Sequence, residues 1–273
     1  MRRVVHISDL HFGRADKAVL DDLHAAIVAA RPDAVVVSGD LTQRARAEQF
    51  AEARHFLDTL PHPQIVVPGN HDVPLYNVAA RWLAPLGNYK RHMGRDLEPF
   101  YADGEIAILG LNTARSLTFK NGRINRGQAA RACARFTALP ESVVRIVVTH
   151  HPFSLPVGHT KHTIVGRAAM AMTAFAQCKV DIILSGHLHA SHAITSETVY
   201  AGSDHRALLV QAGTASSARR RHEPNAFNIL RVEGAQVLIE RLGWKAGSGF
   251  AEIAKETFRR GPGGWSRTGE ERH

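Results

Sequence analysis

The sequence predicts an α/β fold built on two mixed β-sheets flanked by helices, and three observations carry that expectation. From Val4 to Val67, short β-branched runs alternate with stretches of helical period, the pattern of a parallel sheet with right-handed crossovers. The turn pair Asp103-Gly104, between Phe100-Tyr101 and Ile106 to Leu111, reads as a hairpin opening a second sheet. Strand after strand then stops at a polar cluster, where open α/β sheets place their sites.

Taken in order, Val4 to Ile7 is the first strand, followed by Asp9 and His11 in Ser-Asp-Leu-His-Phe-Gly. A carboxylate oxygen and an imidazole nitrogen two residues apart can converge on one borderline divalent metal. Val19, Leu20, Leu23 and Ile27 mark a helix up to Pro32, and Ala34 to Ser38 is a buried strand closed by Gly39-Asp40. Phe50, Ala53, Phe56, Leu57 and Leu60 line a second helix. The run Ile65 to Val67 then stops at Pro68-Gly69 and delivers Asn70, His71 and Asp72 together. Val73 to Phe100 shows no clear period and carries Tyr76, Trp82, Tyr89, Lys90, Arg91 and His92. Long insertions of this kind beside a site shape its substrate pocket.

Asn112-Thr113-Ala114-Arg115 ends the hairpin and is a candidate phosphate contact. Asn125 caps a helix running through Cys133 and Phe136. Val143 to Val148 leads to His150-His151-Pro152, and Val180 to Leu184 to Gly186-His187-Leu188-His189. Between them lie a cationic loop with His159 and His162 and a helix from Arg167 to Cys178 in which Met170 and Met172 pack. Leu208 to Gln211, Phe227 to Val232 and Gln236 to Leu242 are expected to complete the second sheet as antiparallel strands, with Arg219 in a basic loop among them. Residues 1–246 are expected to form one domain, the catalytic one if the strand-end residues carry chemistry. Residues 247–273 read as a basic extension: a short amphipathic helix bearing Phe250, Ile253, Ala254 and Phe258, then a disordered tail from Gly261. That helix either packs on the domain or lies on a membrane surface.

The chain of 273 residues is 44% hydrophobic and 22% charged, an ordinary soluble composition long enough for one large core. The apolar run behind Arg2 and Arg3 breaks at His6, too soon for a signal-peptide core or a membrane span, so a cytoplasmic location is expected. Cys133 and Cys178, the only cysteines, are accordingly expected as reduced, packed thiols. The net charge of +9 and pI near 10.1 suit an anionic partner, a nucleotide, a nucleic acid or an anionic lipid, and equally suit solubility alone.

The strand-end residues Asp9, His11, Asp40, Asn70, His71, His150, His187 and His189, within Asp-x-His, Gly-Asp, Gly-Asn-His-Asp, His-His-Pro and Gly-His-x-His, form a set that resembles the calcineurin-like metallophosphoesterases. The resemblance implies a four-layer α/β/β/α sandwich with a dinuclear metal site at the carboxyl ends of the strands. It implies one divalent metal on Asp9, His11, Asp40 and His189 and a second on Asp40, Asn70, His150 and His187, Asp40 bridging. Manganese, iron or zinc suits these nitrogen and oxygen ligands. A metal-activated hydroxide would attack phosphorus, with His71 as general acid and Asp72 orienting its ring.

The expected activity is that of a phosphodiesterase resembling the bacterial class III cyclic-nucleotide and glycerophosphodiester enzymes, acting on a small phosphate ester. Arg44, Arg115, His159, His162 and Arg219 are candidate substrate contacts. A lipid or nucleotide-sugar pyrophosphate hydrolase at the membrane is the alternative that the basic extension suggests. The charge suggests a nuclease, against which stand an aromatic content of 7% and the lack of a separate nucleic-acid module. A non-catalytic scaffold would be expected to have lost ligands, yet every position here is filled. Self-association stays open.

Overall fold

The computed structural model describes residues 1–116, 118, 120–156, 164–202, 205–216 and 223–272. Strands β1 (Arg2–Ile7), β2 (Ala34–Val37) and β3 (Gln64–Val66) pair in parallel, Val5 beside Val35 and Val36 beside Ile65. Helices α1 (Lys17–Ala30) and α2 (Ala47–Asp58) are the crossovers. Asp16 caps α1 by accepting the Ala18 N–H at 2.9 Å, and Val19, Leu23 and Ile27 form its buried stripe. On α2 the stripe is Phe50, Ala53 and Leu57. Both pack on Val5, Ile7, Val35 and Val37, the outer face of the sheet.

The second sheet runs β4 (Phe100–Ala102), β5 (Ile106–Gly110), β6 (Val144–Val148), β7 (Ile182–Ser185), β9 (Leu208–Gln211) and β8 (His192–Thr195). β5, β6, β7 and β9 are parallel, and β4 and β8 are antiparallel edges. Helices α5 (Arg126–Thr137) and α6 (Ala168–Gln177) cover its outer face through Ala132, Phe136, Ala171 and Phe175. Asn125 does cap α5, in a box with Gln128. Val4, Val36, Ile65 and Val67 meet Ile106, Ile146, Val148 and Leu184 between the sheets. The layers are therefore helix, sheet, sheet, helix, as expected.

Three expectations are corrected. β10 (Ala226–Glu233) and β11 (Gln236–Lys245) are antiparallel but join the first sheet, β10 lying beside β1 with Val5 opposite Ile229. Their alternation fixes two faces but not which sheet receives them: Phe227 and Ile229 pack on the helix side, Leu230 and Val232 between the sheets. The extension is neither helix nor disordered tail. β12 (Gly249–Gly261) and β13 (Gly264–Arg272) continue the same sheet. Ala254, Glu256 and Phe258 alternate inward, Trp265 is fully buried, and Glu256 is held by Arg241 at 3.3 Å and Arg267 at 2.8 Å. Without the amphipathic helix, the membrane-hydrolase alternative loses its motive in this segment. Third, Cys133 and Cys178 form a disulfide, their Cα atoms 5.2 Å apart. The expectation of free thiols rested on compartment and missed that α5 and α6 lie side by side, within disulfide reach.

The aperiodic stretch contains two short helices that its pattern did not announce, α3 (Val78–Leu83) and α4 (Gly87–Met93). Among the described residues no helix is long and apolar enough to cross a membrane.

Candidate metal centre

The loops after β1, β2, β3, β6 and β7 meet at one rim of the two sheets. Backbone bonds stitch them together: Asp9 N–H to the Gly39 carbonyl (3.0 Å), His11 N–H to that of Asp40 (3.0 Å), and Gly186 N–H to that of His150 (3.0 Å). Carboxylates extend the stitching, His71 N–H donating to Asp40 Oδ1 at 2.8 Å and His187 N–H to Asp9 Oδ2 at 3.0 Å. Close approach demands glycine, since a Cβ at Gly69 would lie 2.2 Å from Asp40 Oδ1 and one at Gly186 1.8 Å from Ser8 Oγ. Asp9, His11, Asp40, His187 and His189 all adopt left-handed backbone, with φ of 55°, 50°, 51°, 77° and 58°. Such conformations cost energy in non-glycine residues and collect where side chains must be aimed.

The aim is inward. His150 Nε2 lies 3.4 Å from Asp40 Oδ1, 3.1 Å from Asn70 Oδ1 and 3.2 Å from His187 Nδ1. Its Nδ1 donates to the Ser38 carbonyl at 2.7 Å, which fixes the tautomer and leaves Nε2 as a lone pair. A nitrogen lone pair against two oxygens and a second imidazole is a cluster of donors that wants a cation. Beside it, Asp9 Oδ1 is buried with no hydrogen-bond donor among the described residues, while His11 Nε2 and His189 Nδ1 stand 3.6 and 3.7 Å away. The ligand atoms of Asp9, His11 and His189 lie within 4.8 Å of one another, as do those of Asp9, Asp40 and His150. This donor set fits two adjoining divalent cations.

Electrostatics agree. Burial would raise Asp40, but the imidazoles of His150, His71 and His11 outweigh it and hold its carboxyl well below the usual range. Burial likewise opposes charge on His150, yet Asp40 and Asp9 push it up to about 9, so without a cation Nε2 takes up a proton at neutral pH, which a bound metal would displace. Burial, then His150, brings His187 down to about 4, so it is neutral and able to bind metal at pH 7.

The remaining expected residues fall differently. Asp72 does not orient His71: it accepts from Leu41 N–H (3.1 Å), Thr42 N–H (2.9 Å), Thr42 Oγ1 (3.0 Å) and Gly69 N–H (2.9 Å), tying the β2 loop to the β3 loop. Burial and Asp40 raise its carboxyl to about 6. The His71 ring is instead held by Gln43, whose carbonyl lies 3.0 Å from Nδ1, and stands edge-on to His11 at 5.0 Å. His151 sits near His150 and His187, but both its nitrogens are engaged, by Thr113 Oγ1 at 2.8 Å and the Lys120 carbonyl at 3.0 Å, so it braces the site. Arg115 spends its guanidinium on the Asn112 and Ala114 carbonyls and on Gln128. Arg44 stacks over Tyr76 at 5.1 Å. His159, His162 and Arg219 lie outside the described residues. Sequence reasoning missed Gln43, Ser38, Ser8 (2.6 Å to Asp9 Oδ2) and Thr214, which hydrogen-bonds His189. Their position within three residues of a ligand or opposite a strand tip was the only signal for the first three.

Comparison with known proteins bears on the same residues. A family model described as calcineurin-like phosphoesterase matches residues 2–191. A glycerophosphodiester phosphodiesterase, GpdQ, of Enterobacter lignolyticus is 39% identical over 84 residues, 25% of this chain and 29% of that protein. The chain thus spans under a third of that relative. A probable glycerophosphodiester phosphodiesterase of Arcobacter nitrofigilis is 23% identical over 205 residues, 68% of this chain and 71% of that one. Among solved structures, a dimetal phosphatase of Danio rerio superposes with a TM-score of 0.65 at 15% identity, covering 89% of this chain and 96% of that one. Purple acid phosphatase PPD1 of yellow lupin, Lupinus luteus, gives 0.65 at 13% identity, covering 92% and 52%.

Proposed function

The chain belongs to the calcineurin-like phosphoesterases, a family of phosphoester hydrolases, and from that membership we propose a phosphodiesterase acting on cyclic-nucleotide or glycerophosphodiester substrates. The observation that carries the metal reading is the lone-pair cluster at His150, with Asp40, Asn70 and His187 within 3.4 Å of its Nε2. The diester preference is supported by the names of the two curated relatives.

In this reading Asp9, His11, Asp40 and His189 would hold one divalent cation, and Asp40, Asn70, His150 and His187 would hold the other. Asp40 would be shared, because a carboxylate has two oxygens to give. Mixed nitrogen and oxygen donors without thiolate suit manganese, iron or zinc. When bound, such a pair supplies Lewis acidity to the phosphoryl oxygens and a nucleophile from water near neutral pH.

The side chains do the rest. His71, positioned by the Gln43 carbonyl, donates a proton to the departing oxygen from its other ring nitrogen. Asp72 locks the loop that carries His71 and acts on the ring only through the backbone. Arg44, half-buried against Tyr76, is a candidate phosphate contact, as are His159, His162 and Arg219, whereas the bonds made by Arg115 favour a bracing role.

The test pairs elemental analysis with turnover of bis(p-nitrophenyl) phosphate and p-nitrophenyl phosphate at one manganese concentration, followed by cyclic nucleotides and glycerophosphodiesters. Manganese-stimulated hydrolysis favouring the diester is expected. Preference for the monoester, or turnover indifferent to metal, overturns the reading.

A further inference from the structure

We propose that α3 and the residues entering it form a docking face for an anionic phospholipid surface, an inference that goes beyond the catalytic reading and does not depend on it. The helix is built inside out. Its buried residue is Arg81, 4% exposed, whose guanidinium donates to the carbonyls of Ser116 (2.7 Å), Pro74 (2.8 Å) and Thr118 (2.9 Å). Its apolar side chains face solvent: Val78 is 63% exposed, Trp82 59% and Leu83 86%, with Tyr76, just before the helix, at 75%. Val78 and Trp82, four residues apart, stand one above the other, and Leu83 adjoins them. A surface helix normally does the reverse, and clustered exposed apolar residues of this size mark an interaction surface.

Composition and charge choose the occupant. Tryptophan and tyrosine beside aliphatic side chains suit a membrane–water interface, where a ring can bury its body and keep its polar tip wet. From Val73 to Arg95 the chain contains Arg81, Lys90, Arg91 and Arg95 and no Asp or Glu. Lys90, Arg91 and Arg95 are exposed. Arg44 and exposed Arg46 line a cavity of about 620 Å³ together with Tyr76, and Glu48 is the one acid in its wall. Anionic headgroups would pair with these cations, as with the chain's net charge of +9, whereas a second copy of the same face would meet like charge. Since Val78 is six residues beyond Asp72, docking here keeps the metal-centre rim within about 20 Å of chain from the headgroups.

The experiment uses the full chain with vesicles of phosphatidylcholine alone or with phosphatidylglycerol, followed by flotation and tryptophan emission. Trp82 is the reporter, because Trp265 is fully buried and Trp244 is half-buried and bonded to Asp22. We expect flotation with the anionic vesicles, a blue shift, and weakening at high salt. The Trp82→Ser/Leu83→Ser double variant should bind at least about tenfold more weakly with an unchanged melting temperature. Lys90→Glu/Arg91→Glu should weaken binding while leaving the apolar face intact. A parent chain that does not float overturns the proposal, as does flotation indifferent to both double variants. Self-association detected by light scattering and abolished by Trp82→Ser/Leu83→Ser, without vesicle binding, assigns the face to a second copy and equally overturns it.

Discussion

The first sheet has two halves, and they are built on opposite principles. At the β1–β3 end, donors face donors, Asp9 Oδ1 has no hydrogen-bond donor, and the loops carry left-handed residues. At the β10–β13 end the buried acids among the described residues are answered: Glu256 by Arg241 and Arg267, Glu240 by Arg231, and Asp181, from the facing sheet, by Arg260 and the Trp265 indole at 2.9 Å. One half is held ready for cations and the other holds the molecule together. Substitutions in the two should therefore separate activity from stability.

Asp40→Ala is the sharpest break. It removes the carboxylate that faces both His150 and His71 N–H, and turnover should fall by more than about 10³-fold with loss of metal. The metal-free protein should also lose some stability, because His150 and the His71 N–H lose their buried partner, so the discriminating readout is turnover per folded molecule. Trp265→Ala is its mirror: a cavity in the core and the loss of one of the donors to Asp181, which keeps Arg260 and the Arg145 N–H, should cost about 3 to 5 kcal/mol in urea unfolding, with turnover per folded, metal-loaded molecule unchanged. If Trp265→Ala lowers turnover per metal-loaded molecule, or Asp40→Ala leaves turnover per folded molecule intact, the division of labour fails.

His71→Ala should keep its metal and slow turnover by about 10² to 10⁴-fold, more for poor leaving groups than for p-nitrophenolate. Equal losses on both would remove His71 from proton transfer. The smallest effect expected lies between the halves. Burial brings His6, on β1 opposite Asn228, down to about 3. Its folded value lies below the unfolded 6.5, so its contribution is complete above pH 6.5 and is lost as pH falls toward 3. At pH 5 that amounts to about 2 kcal/mol. With metal saturating, stability in the His6→Gln variant should depend less steeply on pH between 5 and 6.5, by nearly one proton, and a parallel slope would contradict it.

Much of the ready half was legible in the sequence. Its strands are short runs rich in β-branched residues, and chemistry-bearing residues stand directly at their ends, so residue type and order were enough to collect Asp9, Asp40, Asn70, His150 and His187. What escaped there is what hydrogen bonding decides: Asp72 turned to the Leu41, Thr42 and Gly69 donors and left His71 to Gln43, a choice no spacing reveals. The structural half was harder. Phe250, Ile253, Ala254 and Phe258 satisfy a helical stripe, while Ala254, Glu256 and Phe258 satisfy a strand, and the inward Glu256 looks polar until Arg241 and Arg267 are seen across the sheet. Pairing of Cys133 with Cys178 depends on two helices meeting, separated by 45 positions. The anchor of α3, a buried Arg81 reaching carbonyls on another loop, inverts the pattern by which helices are read.

The account turns on a shared carboxylate holding a pair of cations. Direct titration of metal-free protein with manganese, read as bound ions per chain, tests it: the parent should bind about two and Asp40→Ala should lose tight binding of both. A parent that binds none, or a variant that binds as the parent does, would contradict it.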